Sequence, residues 1–156
     1  EDFTPGAFDA FDLAVVGPGP GDPRDGDSPK IARFRTAVDE LLASERPFLA
    51  VCLGHQVLCD RLGIPLAYKD IVFQGTQSTV SIRGRHEPVG FYNTFVGRLG
   101  PGDSLPEGVT VESDPATGDI HLVAGPHFRG VQFHAESILT EDGVDILRDL
   151  LLELLG

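Results

Sequence analysis

Apolar residues fall along this chain in short runs and helical stripes that alternate with each other. Asp12 to Val16 (DLAVV) reads as a short buried strand, and Pro47 to Val51 (PFLAV) as a second. Between them, Ser28 and Pro29 have the form of an N-cap and a first helical residue. Ile31, Phe34, Val38, Leu41 and Leu42 follow at helical spacing, which predicts an amphipathic helix of about three to four turns. A second helix is predicted from about Gly54 to Leu62, with Gly63 and Pro65 as its stop signal. From Ile71 to Val123 the texture changes. Thr79–Ile82, Val109–Glu112 and Ile120–Val123 alternate between turn signals and predict shorter, partly antiparallel strands. Gly130 to His134 (GVQFH) predicts one more strand. A last helix starts near Thr140, read as its N-cap, with Val144, Leu147, Leu150, Leu151 and Leu154 on its apolar face. Strands alternating with helices predict a three-layer α/β domain around an open sheet, mostly parallel with antiparallel additions.

Length and composition narrow the picture. The 156 residues fit one domain, and 41% hydrophobic content is enough for a packed core. A formal charge of −12, from 12 basic and 24 acidic residues, repels phosphate backbones and anionic lipids. Nucleic acid and membrane are therefore excluded as expected partners, and no apolar run is long enough to span a bilayer. Cys52 and Cys59 lie on or beside one predicted helix, where a disulfide between them is geometrically disfavoured. Two free thiols suit a reducing compartment, which points to the cytoplasm. No Cys/His spacing resembles a zinc site.

Cys52 carries the first candidate chemistry. It stands where a strand turns sharply into a helix, so its sulfur is pushed out at the C-terminal edge of the sheet. The helix N-terminus brings N–H groups and the positive dipole end beside it, which favours thiolate. Gly54 lets backbone or substrate come close. Cys59 has no such turn and reads as core. A nucleophilic thiol needs an imidazole, and the imidazole needs an orienting group. Of His55, His86, His121, His127 and His134, only His134 has an acid placed for that task, in His134-Ala135-Glu136. At an extended strand end, residues two apart share a face. His55 reads as polar packing beside the site, and the other three as solvated or hydrogen-bonded loop residues. Acyl transfer also needs fixed N–H donors for an oxyanion. Leu53 offers one, and the loop Gly17–Pro23, which follows another strand of the same sheet, offers a second. That loop lacks a Gly-Lys-Ser/Thr end and fits phosphate-binding patterns poorly.

Three stretches together resemble the class I, or triad, glutamine amidotransferase family. They are Gly19-Pro20-Gly21-Asp22-Pro23, Ala50-Val51-Cys52-Leu53-Gly54-His55-Gln56 and Gly130-Val131-Gln132-Phe133-His134-Ala135-Glu136-Ser137. Their order and spacing fit across residues 12–156. The resemblance implies a flavodoxin-like sheet with Cys52, His134 and Glu136 as a triad. Gly19, Gly21 and Leu53 would then serve the oxyanion, with Gln56, Thr94 and Phe95 holding the amino-acid end of glutamine. It further implies that ammonia passes to a chorismate-binding synthase domain of a larger, homo-oligomeric enzyme. Any Mg²⁺ would belong to that partner and no cofactor to this domain. Ser137-Ile138-Leu139-Thr140 resembles the anthranilate synthase branch. Phe73-Gln74-Gly75-Thr76-Gln77 and Val89 to Phe95 resemble aminodeoxyisochorismate synthases of phenazine-type pathways. Two departures stand out. Ala135 replaces the family's usual Pro, and the family domain normally begins with a further strand and helix. The first strand of this chain is therefore expected to be an exposed sheet edge. Two other readings are open: a γ-glutamyl hydrolase-like cysteine hydrolase on the same scaffold, and a non-catalytic domain that regulates a synthase partner.

Overall fold

A computed structural model of the protein describes residues 6–156. Its central sheet has the order β1 (Ala14–Val16), β2 (Phe48–Val51), β9 (Phe128–Val131), β8 (Ile120–Ala124), β7 (Thr110–Ser113). The first three strands run parallel and the last two add antiparallel, so the sheet is mixed. Two antiparallel pairs flank it: β3 (Leu66–Tyr68) with β6 (Phe95–Gly97), and β4 (Thr76–Ile82) with β5 (Arg85–Phe91).

The pleat of β2 explains the three layers. Phe48 and Ala50 pack with Val38 and Leu41 of α1 (Pro29–Ser44) and Val57 and Leu58 of α2 (Leu53–Arg61). Leu49 and Val51, on the other face, pack with Val80, Val89 and Phe91 of the β4–β5 hairpin. Ile146 and Leu150 of α3 (Gly143–Leu155) join them there. All four β2 residues are buried, which is why this strand reads as a continuous apolar run and not as an alternation. β1 is the edge of the described sheet, and Val15 on it is 61% exposed.

α1 starts as its sequence predicts: Ser28 Oγ accepts a hydrogen bond from Ile31 N–H, and Pro29 takes the first helical position. α3 does not. Its N-cap is Asp142, and Thr140 serves another purpose described below. Its buried stripe is Gly143, Ile146, Leu150 and Leu154, while Val144 is 81% exposed. The helix packs through that stripe, so Ile146 is in the core and Val144 faces outward. β5 has no counterpart among the predicted strands. Its Arg85, His86, Pro88 and Gly90 are poor strand formers, and pairing with β4 overrides them.

α2 crosses the end of β1 very closely. A Cβ at Gly54 would lie 2.2 Å from the Val16 carbonyl oxygen. Gly54→Ala is therefore expected to cost about 3 kcal/mol or more, because backbone must move. At Gly63, which has φ +78 but open space, Ala meets only backbone strain, worth about 1–2 kcal/mol. Urea denaturation of both variants checks the difference. Equal losses would mean that the β1–α2 crossing is not tight.

Candidate active site

Cys52 follows β2 directly and caps α2 with φ 51 and ψ −103, a backbone conformation rare for a residue with a side chain. Its N–H donates to the Val131 carbonyl at 2.9 Å, and its carbonyl accepts from Gln56 N–H at 3.0 Å. β9 thus holds the turn from one side and α2 from the other. Because β2 and β9 are parallel and in register at Val51 and Val131, both chains leave the sheet at the same edge.

His134 emerges at that edge, but not from a strand end. β9 stops at Val131, and His134 makes an isolated antiparallel bridge with Gly90 of β5. Its N–H donates to the Gly90 carbonyl at 2.9 Å. Phe133 is meanwhile fully buried in the core, which bends the chain away from the sheet. Glu136 reaches back through a turn, so the predicted extended His-x-Glu geometry is replaced. The pairing itself is present, with His134 Nδ1 to Glu136 Oε1 at 2.7 Å. A carboxylate only accepts, so Nδ1 carries a proton; in the neutral ring the lone pair is then on Nε2, and in the imidazolium both nitrogens donate. Ala135 in place of proline does not prevent this contact. Glu136 is a stronger acid than an ordinary glutamic acid. Burial pushes its pKa up, but the His134 hydrogen bond, its own backbone N–H and the His134 charge together bring it below the usual value.

Cys52, His134, Glu136 and Gly19 line one open cleft of about 660 Å³. Pro18, Pro20, Tyr92, Ser137 and Ile138 complete its wall, and none of these five was singled out from sequence as a site residue. Tyr92 lay within a recognised stretch, yet its ring contact with His134 has no local sequence signal. The Gly19 loop is tied down on both sides. Lys30 Nζ donates to the Pro20 carbonyl at 2.5 Å, and a Cβ at Gly19 would sit 2.8 Å from that ammonium. Asp22 pairs with Arg24, whose guanidinium lies 4.5 Å from the centre of the Phe95 ring. Gly21, at φ +141, lets the loop turn between these anchors.

Gly21, Leu53, Gln56, Thr94 and Phe95 do not line the cleft. The Leu53 N–H stands beside the Cys52 sulfur and favours its thiolate, while the Leu53 side chain is buried. Gln56 is buried, and its Nε2 donates to the Phe95 carbonyl at 2.8 Å and to Gln132 Oε1 at 3.1 Å. Asn93 Nδ2 donates to the same Phe95 carbonyl. The Thr94 carbonyl accepts from Lys69 N–H. These residues form a bonded cluster under the α2 elbow.

The electrostatics differ from expectation at Cys52. Burial pushes its thiol up to about 11; the Leu53 N–H offsets this only in part, and the Glu136 charge adds to it. The free sulfur is a thiol at neutral pH, not the thiolate expected from the helix N-terminus. Desolvation of a nearly covered sulfur outweighs one N–H. Cys59 is a buried core thiol, 3.6 Å from His55 Nε2. Burial takes His55 down to about 4, so it is a neutral packing residue. His121 is not a loop residue: it is buried on β8, with Nε2 donating to the Ser81 carbonyl at 2.6 Å. His86 lies exposed on β5, and His127 in a turn near Glu45.

The comparisons with known proteins point one way. The family described as glutamine amidotransferase class-I matches residues 4–154. The chain is 48% identical over 148 residues to "Anthranilate synthase, phenazine specific" of Pseudomonas fluorescens, covering 93% of this chain and 23% of that protein. It is 36% identical over 150 residues to "Anthranilate synthase component II" of Haloarcula marismortui, covering 88% of this chain and 73% of that protein. The crystal structure of a glutamine amidotransferase from Thermotoga maritima superposes with a TM-score of 0.73 at 18% identity, covering 95% of this chain and 80% of the other. At that identity the superposition speaks for the fold. The chain spans under a quarter of the length of its phenazine-specific relatives.

The thiol's raised pKa predicts its reactivity. Alkylation of Cys52 by iodoacetamide is expected to speed up about tenfold per pH unit from neutrality to pH ~10, because only thiolate reacts. A rate that levels off below about pH 8 would mean a preformed thiolate and contradict this account.

Proposed function

The chain belongs to the class-I glutamine amidotransferase family, and from that premise we propose that it hydrolyses glutamine to glutamate and ammonia through a thioester on Cys52. One observation carries the reading: a strained strand-to-helix cysteine and a carboxylate-oriented imidazole share one cleft with a stiffened glycine loop.

The geometry supports the following steps. The side-chain amide carbon of glutamine sits over Cys52, and His134 Nε2 takes the thiol proton as the sulfur attacks. This concerted transfer suits a thiol that is not ionised at rest. Negative charge gathers on the former carbonyl oxygen, which the N–H groups of Leu53 and Gly19 stabilise. Collapse breaks the C–N bond, and His134 returns the proton so that neutral ammonia leaves. Water then attacks the thioester, His134 takes its proton, and glutamate departs as the Cys52 thiol is restored. Glu136 keeps Nδ1 protonated throughout and stabilises the imidazolium. The resemblance assigns the amino-acid end of glutamine to Gln56 and the backbone of Thr94 and Phe95; with the Gln56 amide spent on the Phe95 carbonyl and Gln132, Gln56 serves in this structure by fixing that backbone beneath the cleft, and Gly21 shapes the oxyanion loop.

The ammonia goes to a chorismate-binding synthase domain, of anthranilate or aminodeoxyisochorismate synthase type. The names of the relatives support this: "Anthranilate synthase, phenazine specific", "Anthranilate synthase component II" and "Aminodeoxychorismate synthase". The complete enzyme is a cytoplasmic homo-oligomer in this reading. Mg²⁺ serves the synthase domain, and this domain works without a cofactor. Among the described residues no helix is long and apolar enough to cross a membrane.

A diazoketone analogue of glutamine, followed by peptide mass spectrometry, tests the site. Labelling at Cys52 that excess glutamine prevents is expected. No labelling even with a chorismate-binding synthase partner present would reject the glutaminase reading in favour of a non-catalytic partner domain. Labelling that glutamine does not prevent would favour a hydrolase with another substrate. In the complete enzyme, Cys52→Ala is expected to abolish glutamine-dependent synthesis and to spare synthesis from added ammonia. Glu136→Gln is expected to lower kcat for glutamine hydrolysis on the order of 100-fold. Retained kcat in that variant would remove Glu136 from the mechanism.

A further inference from the structure

His134 is held more tightly than its pairing with Glu136 can account for. The Glu136 side chain is 63% exposed, and its hydrogen bond fixes one ring nitrogen without fixing the backbone that carries the ring. The backbone of His134 is fixed from elsewhere. Thr140 is buried, and its hydroxyl donates to the His134 carbonyl at 2.6 Å. Thr140 Oγ1 also accepts the Gly90 N–H at 2.9 Å, and the Gly90 carbonyl accepts the His134 N–H at 2.9 Å. Three residues therefore close a ring of hydrogen bonds that commits both backbone polar groups of His134. Close packing leaves no slack around it. A Cβ at Gly90 would lie 2.8 Å from Leu139 Cβ and 3.0 Å from Ser137 Oγ.

The imidazole has its own support. The Tyr92 ring meets it edge to face, with centres 5.2 Å apart and planes at 77°. Tyr92 is fixed in turn, because its hydroxyl shares a hydrogen bond with Ser137 Oγ at 3.0 Å, and that oxygen also accepts the Leu139 N–H at 3.1 Å.

We propose that Thr140 and Tyr92 are positioning residues for His134: Thr140 locks its backbone to β5, and the Tyr92 ring keeps the imidazole turned so that Nδ1 stays on Glu136 and Nε2 stays free. The proposal rests on the glutaminase reading and adds two residues to it. Neither exchanges a proton with substrate. Both act by keeping the base within reach of the sulfur, where an error of about 1 Å costs on the order of 100-fold in rate.

The test uses the complete enzyme. Thr140→Val keeps the shape and removes the hydroxyl. It is expected to lower kcat for glutamine hydrolysis on the order of 100-fold with KM little changed, and Thr140→Ser is expected to recover most of the rate. Tyr92→Leu is expected to lose more kcat than Tyr92→Phe, which keeps the ring. Nitrogen-15 NMR of the His134 ring supplies a readout that needs no turnover. The wild type should show the Nδ1–H tautomer, with Thr140→Val and Tyr92→Leu showing a mixture. Unchanged ring signals in both variants overturn the proposal, whether or not kcat falls. If Thr140→Val fails to fold, Thr140→Ala takes its place beside the Tyr92 pair under the same criteria. A wild type without glutaminase activity would sink the functional reading, and the ring signals would still judge the positioning of His134.

Discussion

The site depends on the backbone at Cys52. A non-glycine residue at φ 51 and ψ −103 is strained by about 1–3 kcal/mol, and three neighbours keep it there. Val131 takes its N–H, Gln56 donates to its carbonyl, and Gly54 lets α2 rest on the Val16 carbonyl. Those contacts come from β9, α2 and β1, so the turn is where three elements join. Parallel pairing of β1, β2 and β9 brings their C-terminal ends to one edge, and the Gly19 loop, the nucleophile and the His134 turn all leave from that edge.

The base is anchored differently. His134 bridges to β5, a strand of the flanking hairpin, and not to the central sheet. Nucleophile and base thus belong to separate pieces of secondary structure with the cleft between them. Their alignment follows how the hairpin packs on the sheet through Val89, Phe91 and Phe133. The central core sets the sulfur, and the hairpin sets the imidazole.

Charge follows the same division. The sulfur is covered and held as a thiol, while Glu136 stands in water with its pKa lowered mainly through His134. The proton on sulfur therefore moves during attack. A low-dielectric position makes the thiolate costly before substrate arrives and leaves it a strong nucleophile once the proton has gone to His134.

Sequence alone determined the parts that rest on local rules. PFLAV had to be a buried strand because both of its faces are apolar; DLAVV reads the same way and is a strand, but as the sheet edge it leaves Val15 exposed. Ser28-Pro29 had to open a helix, and a cysteine between strand and helix had to stand at a sheet edge. His134 and Glu136 were legible as a pair because their spacing alone keeps them within reach. What long-range packing decides was not legible. β5 contains Arg85, His86, Pro88 and Gly90, and it is a strand because β4 pairs with it. Thr140 looks like an N-cap, yet its hydroxyl is taken by His134 and by Gly90, which lies fifty residues earlier in the chain. α3 begins at Gly143, and the stripe that packs on the sheet leaves Val144 outward. The Cys52 thiol likewise looked activated from its helix terminus, but its burial depends on what packs around it. Desolvation and hydrogen bonds between distant segments are set by which surfaces meet, and only the tertiary structure fixes that.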